Sequence, residues 1–169
     1  QIGSGTLGRG NGGDLTVNAS ELVELSGRSL LSSSVQAGGV GNGGNLTLDT
    51  NRLYVTHGSQ ITTNTFNRGN SGNLKIRAND RIEVFQNGLV SASVEQNGVG
   101  NSGNLSLETS HLRVENGGVI AAGTFGSGHA GNLTIYASEE VEILNYGLLS
   151  VSVQPSGIGN GGSLILETP

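Results

Sequence analysis

The stretch Gly41-Asn42-Gly43-Gly44-Asn45-Leu46 decides how the rest of the chain is read, because five near-copies of it recur. They begin at Gly10, Gly69, Gly100, Gly128 and Gly159 and read GNGGDL, GNSGNL, GNSGNL, GHAGNL and GNGGSL. Successive first glycines stand 31, 28, 31, 28 and 31 residues apart, so two coil lengths alternate within a repeat of 59. A period in this range is the signature of a solenoid whose units stack along one axis. Each copy is followed by an aliphatic alternation, as in Leu46-Thr47-Leu48, Leu74-Lys75-Ile76, Leu105-Ser106-Leu107 and Leu133-Thr134-Ile135. The glycines supply a turn and the following residues start a strand.

Outward from that leucine, a second alternation follows in each coil: Val23/Leu25, Leu53/Val55, Ile82/Val84, Leu112/Val114 and Val141/Ile143. A third apolar run closes the coil, and its last apolar residue stands 20 positions after the leucine: Val35, Phe66, Val94, Phe125 and Val153. Three short strands per coil, each pairing with its counterpart one coil away, describe an all-β fold, a right-handed parallel β-helix. Counted this way, the three residues that separate 31 from 28 all fall in the corner after the third strand. Val40, Val99 and Ile158 then form a row along one edge at every second coil.

The chain divides into a partial coil over 1–14, five full coils over 15–163 and a partial coil over 164–169. It reads as a single repeat segment, a window from a longer array, since Gln1–Leu7 aligns with Gln60–Phe66 one repeat later. Strand edges exposed at such ends are templates for further pairing, so the expected partners are neighbouring coils or other copies along a fibre.

Composition supports stacking over a globular core. The 169 residues include 30 glycines, only 4% aromatics and no cysteine, which leaves neither a disulfide framework nor a thiolate metal site. A net charge of −5 with 12% charged residues argues against nucleic acid as a partner.

Two kinds of column follow from the stacking. Leu46, Leu74, Leu105 and Leu133, with Leu15 and Leu164, form an inward aliphatic column. Asn42, Asn70, Asn101 and Asn160, with Asn11 and His129, form one corner column, and Asn45, Asn73, Asn104 and Asn132, with Asp14 and Ser163, form another. Each asparagine amide is expected to donate to the carbonyl of the side chain beside it.

Candidate chemistry is sparse. Asp14, within Gly8–Leu15, resembles one calcium-binding nonapeptide of the β-roll type, yet the other coils carry Asn or Ser there and the period is not nine. On the outer face, Asp49, Arg77 and Glu108 stack as a carboxylate–guanidinium–carboxylate column, read as a surface ion-pair ladder. The outward column of the second strand, Glu24, Tyr54, Glu83, Arg113 and Glu142, places Arg113 between two acids. His57, His111 and His129 occupy different places in their coils and do not converge as metal ligands. No catalytic residues, cofactor or metal are expected, and the competing class is a carbohydrate-binding or lyase-like carbohydrate-active β-helix.

The segment GNSGNLSLETSHLRVENGGVIAAGTFGSGHAGNLTIYASEEVEIL (Gly100–Leu144) resembles the repeat region of filamentous-haemagglutinin-like exoproteins of two-partner secretion systems, especially the large cyanobacterial ones. The G-N-x-G-N-L, N-G-x-x-I and G-T-F signatures carry the resemblance over essentially the whole chain. It implies passage through an outer-membrane secretion barrel and display or release at the bacterial outer surface as a long, non-enzymatic structural or adhesive fibre. Cell-surface or matrix glycans are the receptors such a fibre would meet.

Overall fold

The computed structural model describes residues 1–169, and every element in it is a strand or a turn. One sheet pairs β1 (Ile2–Gly3), β4 (Leu30–Ser32), β6 (Gln60–Thr62), β8 (Leu89–Ser91), β10 (Val119–Ala121) and β12 (Leu148–Ser150) in that order. The other runs β2 (Leu15–Asn18), β5 (Leu46–Val55), β7 (Leu74–Val84), β9 (Leu105–Val114), β11 (Leu133–Ile143) and β13 (Leu164–Glu167), with β3 (Leu22–Leu25) also on β5. All pairings are parallel, each strand against its counterpart one coil on, which is a parallel β-solenoid.

The three apolar runs of each coil are all present. From β5 to β11 the first two join into one long strand that bends at an irregularity in the pairing. A turn of two consecutive left-handed residues, such as His57 and Gly58 at φ 52° and 71°, then leads into the third run.

The bend corrects the counting of the coils. β5 and β9 have 10 residues, whereas β7 and β11 have 11. Thr50 pairs with Ala78 and Arg52 with Arg81, so Asn51 alone faces the two residues Asn79 and Asp80. One of the three extra residues of a long coil is therefore absorbed in the bend and only two in the corner, where Val35 to Val40 opposes Thr65 to Arg68.

The shift has a consequence for the core. Because the short coils reach their third strand one residue sooner, the residues aligned with Val35, Val94 and Val153 are Thr65 and Thr124. Phe66 and Phe125, expected in that column, stand one position beyond it, 41% and 38% exposed. Val40, Val99 and Ile158 do line up at every second coil, interleaved with Arg68 and Ser127.

Inside, Leu46, Leu74, Leu105 and Leu133 are buried, as are Leu48, Ile76, Leu107 and Ile135 beside them. The opposite wall is mixed, for Leu31, Ile61, Val90 and Ile120 join the aliphatic core beside buried hydroxyls. Ser32, Ser34, Thr62, Ser91 and Ser93 are buried and bond one another, as in Ser32 Oγ to Ser34 Oγ at 2.8 Å and Ser91 Oγ to Ser93 Oγ at 2.9 Å. Hydroxyls are tolerated there because each finds a partner. The Oγ1 atoms of Thr65 and Thr124 find none.

Two outcomes follow. Leu105→Asp places a carboxylate in the aliphatic column and should lower stability by several kcal/mol, while exposed Thr134→Ser should stay within about 0.5 kcal/mol; equal melting temperatures would contradict the facing. Thr65→Val and Thr124→Val remove orphaned hydroxyls at positions where neighbouring coils already carry valine. Each should raise stability by about 1 kcal/mol in denaturant unfolding.

Candidate functional site

The corner motif is built on two glycine columns. Gly41, Gly69, Gly100, Gly128 and Gly159 have φ between 133° and 153°, and a Cβ on any of them would fall on the carbonyl oxygen of the glycine one coil earlier. The fourth residue of the motif is held in the same way, a Cβ on Gly72 meeting the Gly44 carbonyl and one on Gly103 that of Gly72. Only hydrogen fits at these two places. The third residue is freer, and Ser71, Ser102 and Ala130 stand there.

The expected asparagine columns form, but through a different bond. The side-chain Oδ1 accepts from the backbone N–H of the next coil: Asn70 N–H to Asn42 at 2.9 Å, Asn101 N–H to Asn70 at 2.8 Å and His129 N–H to Asn101 at 2.9 Å. The second column does the same, with Asn73 N–H on Asn45 at 3.0 Å, Asn104 N–H on Asn73 at 2.9 Å and Asn132 N–H on Asn104 at 3.0 Å. An amide-to-amide contact accompanies it only between Asn73 and Asn45, at 3.2 Å.

The ladder therefore requires an acceptor, not an amide. That explains its exceptions: the Asp14 carboxylate accepts from Asn45 N–H at 2.7 Å, and the His129 Nδ1 accepts from Asn160 N–H at 3.1 Å. Ser163 donates its backbone N–H to the Asn132 Oδ1 at 2.9 Å. No group of three or more His, Asp or Glu side chains is gathered to hold a metal ion.

On the outer face Arg77 reaches Glu108 one coil on at 3.5 Å, and Asp49 forms no ion pair with it. Beyond the bend Arg113 pairs with Glu142 at 3.7 Å and with Glu115, just past the end of its own strand, at 2.9 Å, while Glu83 is taken by Arg81 at 3.3 Å. The Glu115 hydrogen bond and charge hold the Arg113 guanidinium above its ordinary pKa, and Asp80 does the same for Arg81. His111, on that flank, directs its Nε2 to the Glu139 carboxylate at 3.1 Å, where the carboxylate oxygen accepts. Glu95 sits in the corner, where burial pushes its carboxyl up against the opposing effect of an Asn64 hydrogen bond at 2.6 Å.

The bend makes a trough that residue counting did not reveal. A concavity of about 520 Å³ is lined by Asn18, Ser20, Asp49, Arg77 and Asn79, and a second of about 180 Å³ by Arg77, Asn79, Glu108, Ser110, Tyr136 and Ser138. Asn79 was hidden because it belongs to the extra residue of the long coils. The signal that could have exposed it is the length of the run between Ala78 and Ile82 against that between Thr50 and Leu53.

Comparison with known protein families, with characterised proteins and with solved structures found no match.

The acceptor rule is testable at one rung. Asn104→Asp keeps the acceptor for the Asn132 N–H and should change stability by less than about 0.5 kcal/mol, whereas Asn104→Leu loses a bond worth about 0.5–1.5 kcal/mol. Gly72→Ala should cost several kcal/mol, because the added carbon meets backbone that cannot move without parting two coils. Thermal melts of the three variants would check the order.

Proposed function

We propose that the chain is a structural or adhesive segment of an extracellular fibre, non-enzymatic, and of the kind that the filamentous-haemagglutinin-like exoproteins of two-partner secretion build. The observation that carries this reading is the continuity of the axial ladder. Of 106 backbone–backbone hydrogen bonds, 59 lie outside the strand ladders, and most of these join a corner to the next coil, as the Gly69 N–H does with the Val99 carbonyl at 2.9 Å, so corners as well as sheets are bonded from coil to coil. Such a rod is stiff along its axis and extends by about 4.8 Å per coil, the spacing of paired strands, however many coils it has.

The outer surface supports the same reading. Ion pairs such as Arg77–Glu108 and Arg113–Glu142 link one coil to the next, and exposed apolar side chains recur with the two-coil period. Export at the bacterial outer surface, and a barrel partner for it, come from the sequence resemblance.

Antibodies raised against this segment should label intact, unpermeabilised producing cells or their medium, and the native protein should form filaments with a meridional spacing of about 4.8 Å. Labelling confined to permeabilised cells would overturn the extracellular assignment.

A further inference from the structure

We propose that the trough at the bend of the long strands binds a neutral, extended polysaccharide lying parallel to the solenoid axis. The two concavities share Arg77 and Asn79, so they form one channel from Asn18 on β2 to Tyr136 on β11. That is four coil steps, about 19 Å at about 4.8 Å each. One sugar ring of an extended glycan advances by a comparable length, so successive rings meet successive coils in similar register.

The lining has the chemistry of glycan recognition. Asn18, Ser20, Asp49 and Asn79 present amide, hydroxyl and carboxylate groups, and their side chains make no hydrogen bond or ion pair within the chain, unlike the corner asparagines, whose Oδ1 atoms are spent on the ladder. Tyr136 is 45% exposed at one end of the trough and offers a ring face for a pyranose.

Charge and backbone narrow the class. Asp49 and the paired Arg77 and Glu108 leave the trough net negative, which disfavours a polyuronate or a sulfated chain. A peptide would bind such a sheet through its backbone, but the strands lining the trough have theirs committed to the coils on either side. A shallow trough accommodates an internal stretch of polymer rather than a chain end.

This inference deepens the adhesive part of the fibre reading, since it names what the rod's surface would hold. Its test requires neither a fibre nor a cell. The protein is titrated with cellohexaose and chitohexaose, with polygalacturonate and heparin as acidic comparisons, and followed by amide chemical shifts. Saturable shifts at Asn18, Asp49, Asn79 and Tyr136 with a neutral hexasaccharide are expected. Tyr136→Ala and, separately, Asn79→Ala should each weaken binding about fivefold, and Glu142→Gln on the far side of the bend should not. Absence of saturable shifts with both neutral sugars, shifts centred on another face, or tighter binding of either acidic polymer would overturn it. Extracellular labelling with no glycan binding would remove this inference alone, and glycan binding by a protein found only inside cells would remove the fibre reading alone.

Discussion

The structure depends on how closely one coil approaches the next at the glycine corner. Where a side chain would begin on Gly69, Gly72, Gly100 or Gly103, the carbonyl of the preceding coil already stands. This contact lets the corner backbone pair axially, as the N–H of Gly41 does with the Arg68 carbonyl at 2.9 Å and that of Leu46 with the Asn73 carbonyl at 2.9 Å. Without it the sheets would be separate ribbons joined by loops. With it, each coil is a closed ring of hydrogen bonds to its neighbours, and no coil can bury its backbone polar groups alone.

The alternation of 31 and 28 residues is reconciled with that constraint in two places. The extra residue in the bend and the two in the corner are both accommodated without breaking the pairing on either side. The interior registers the difference mildly, as a column in which valine and threonine alternate and two hydroxyls go unpartnered. Threonine and valine have nearly the same shape, so packing is preserved while a polar atom is left unsatisfied. The outside registers it more strongly, because Phe66 and Phe125 are turned from the core to the edge.

Interior and exterior accordingly carry different information. The aliphatic columns and the asparagine acceptors repeat with little change, since every rung must satisfy the same backbone. Facing outward, the single column that passes along the trough changes from Asn18 to Asp49, Arg77, Glu108 and Tyr136. That freedom is where recognition can be written on a rod whose frame is uniform, and the bend is where the frame gives the side chains a concave surface.

The sequence by itself determined the coil period, the solenoid class, the inward leucines from Leu46 to Leu133 and the asparagine positions from Asn42 to Asn160. Those features are local: glycine spacing sets the turns, and a side-chain period of two sets the faces. Only the tertiary structure decided which residues of unequal coils stand beside one another. A residue inserted in a bend leaves no mark on hydropathy, so counting from Leu46 arrives at Phe66, while axial pairing places Thr65 in the core. The same pairing reduced the asparagine to its acceptor oxygen, which is why Asp14 and His129 serve equally, and it formed the trough at Asn79, since a concave surface arises between coils and is encoded in none of them alone.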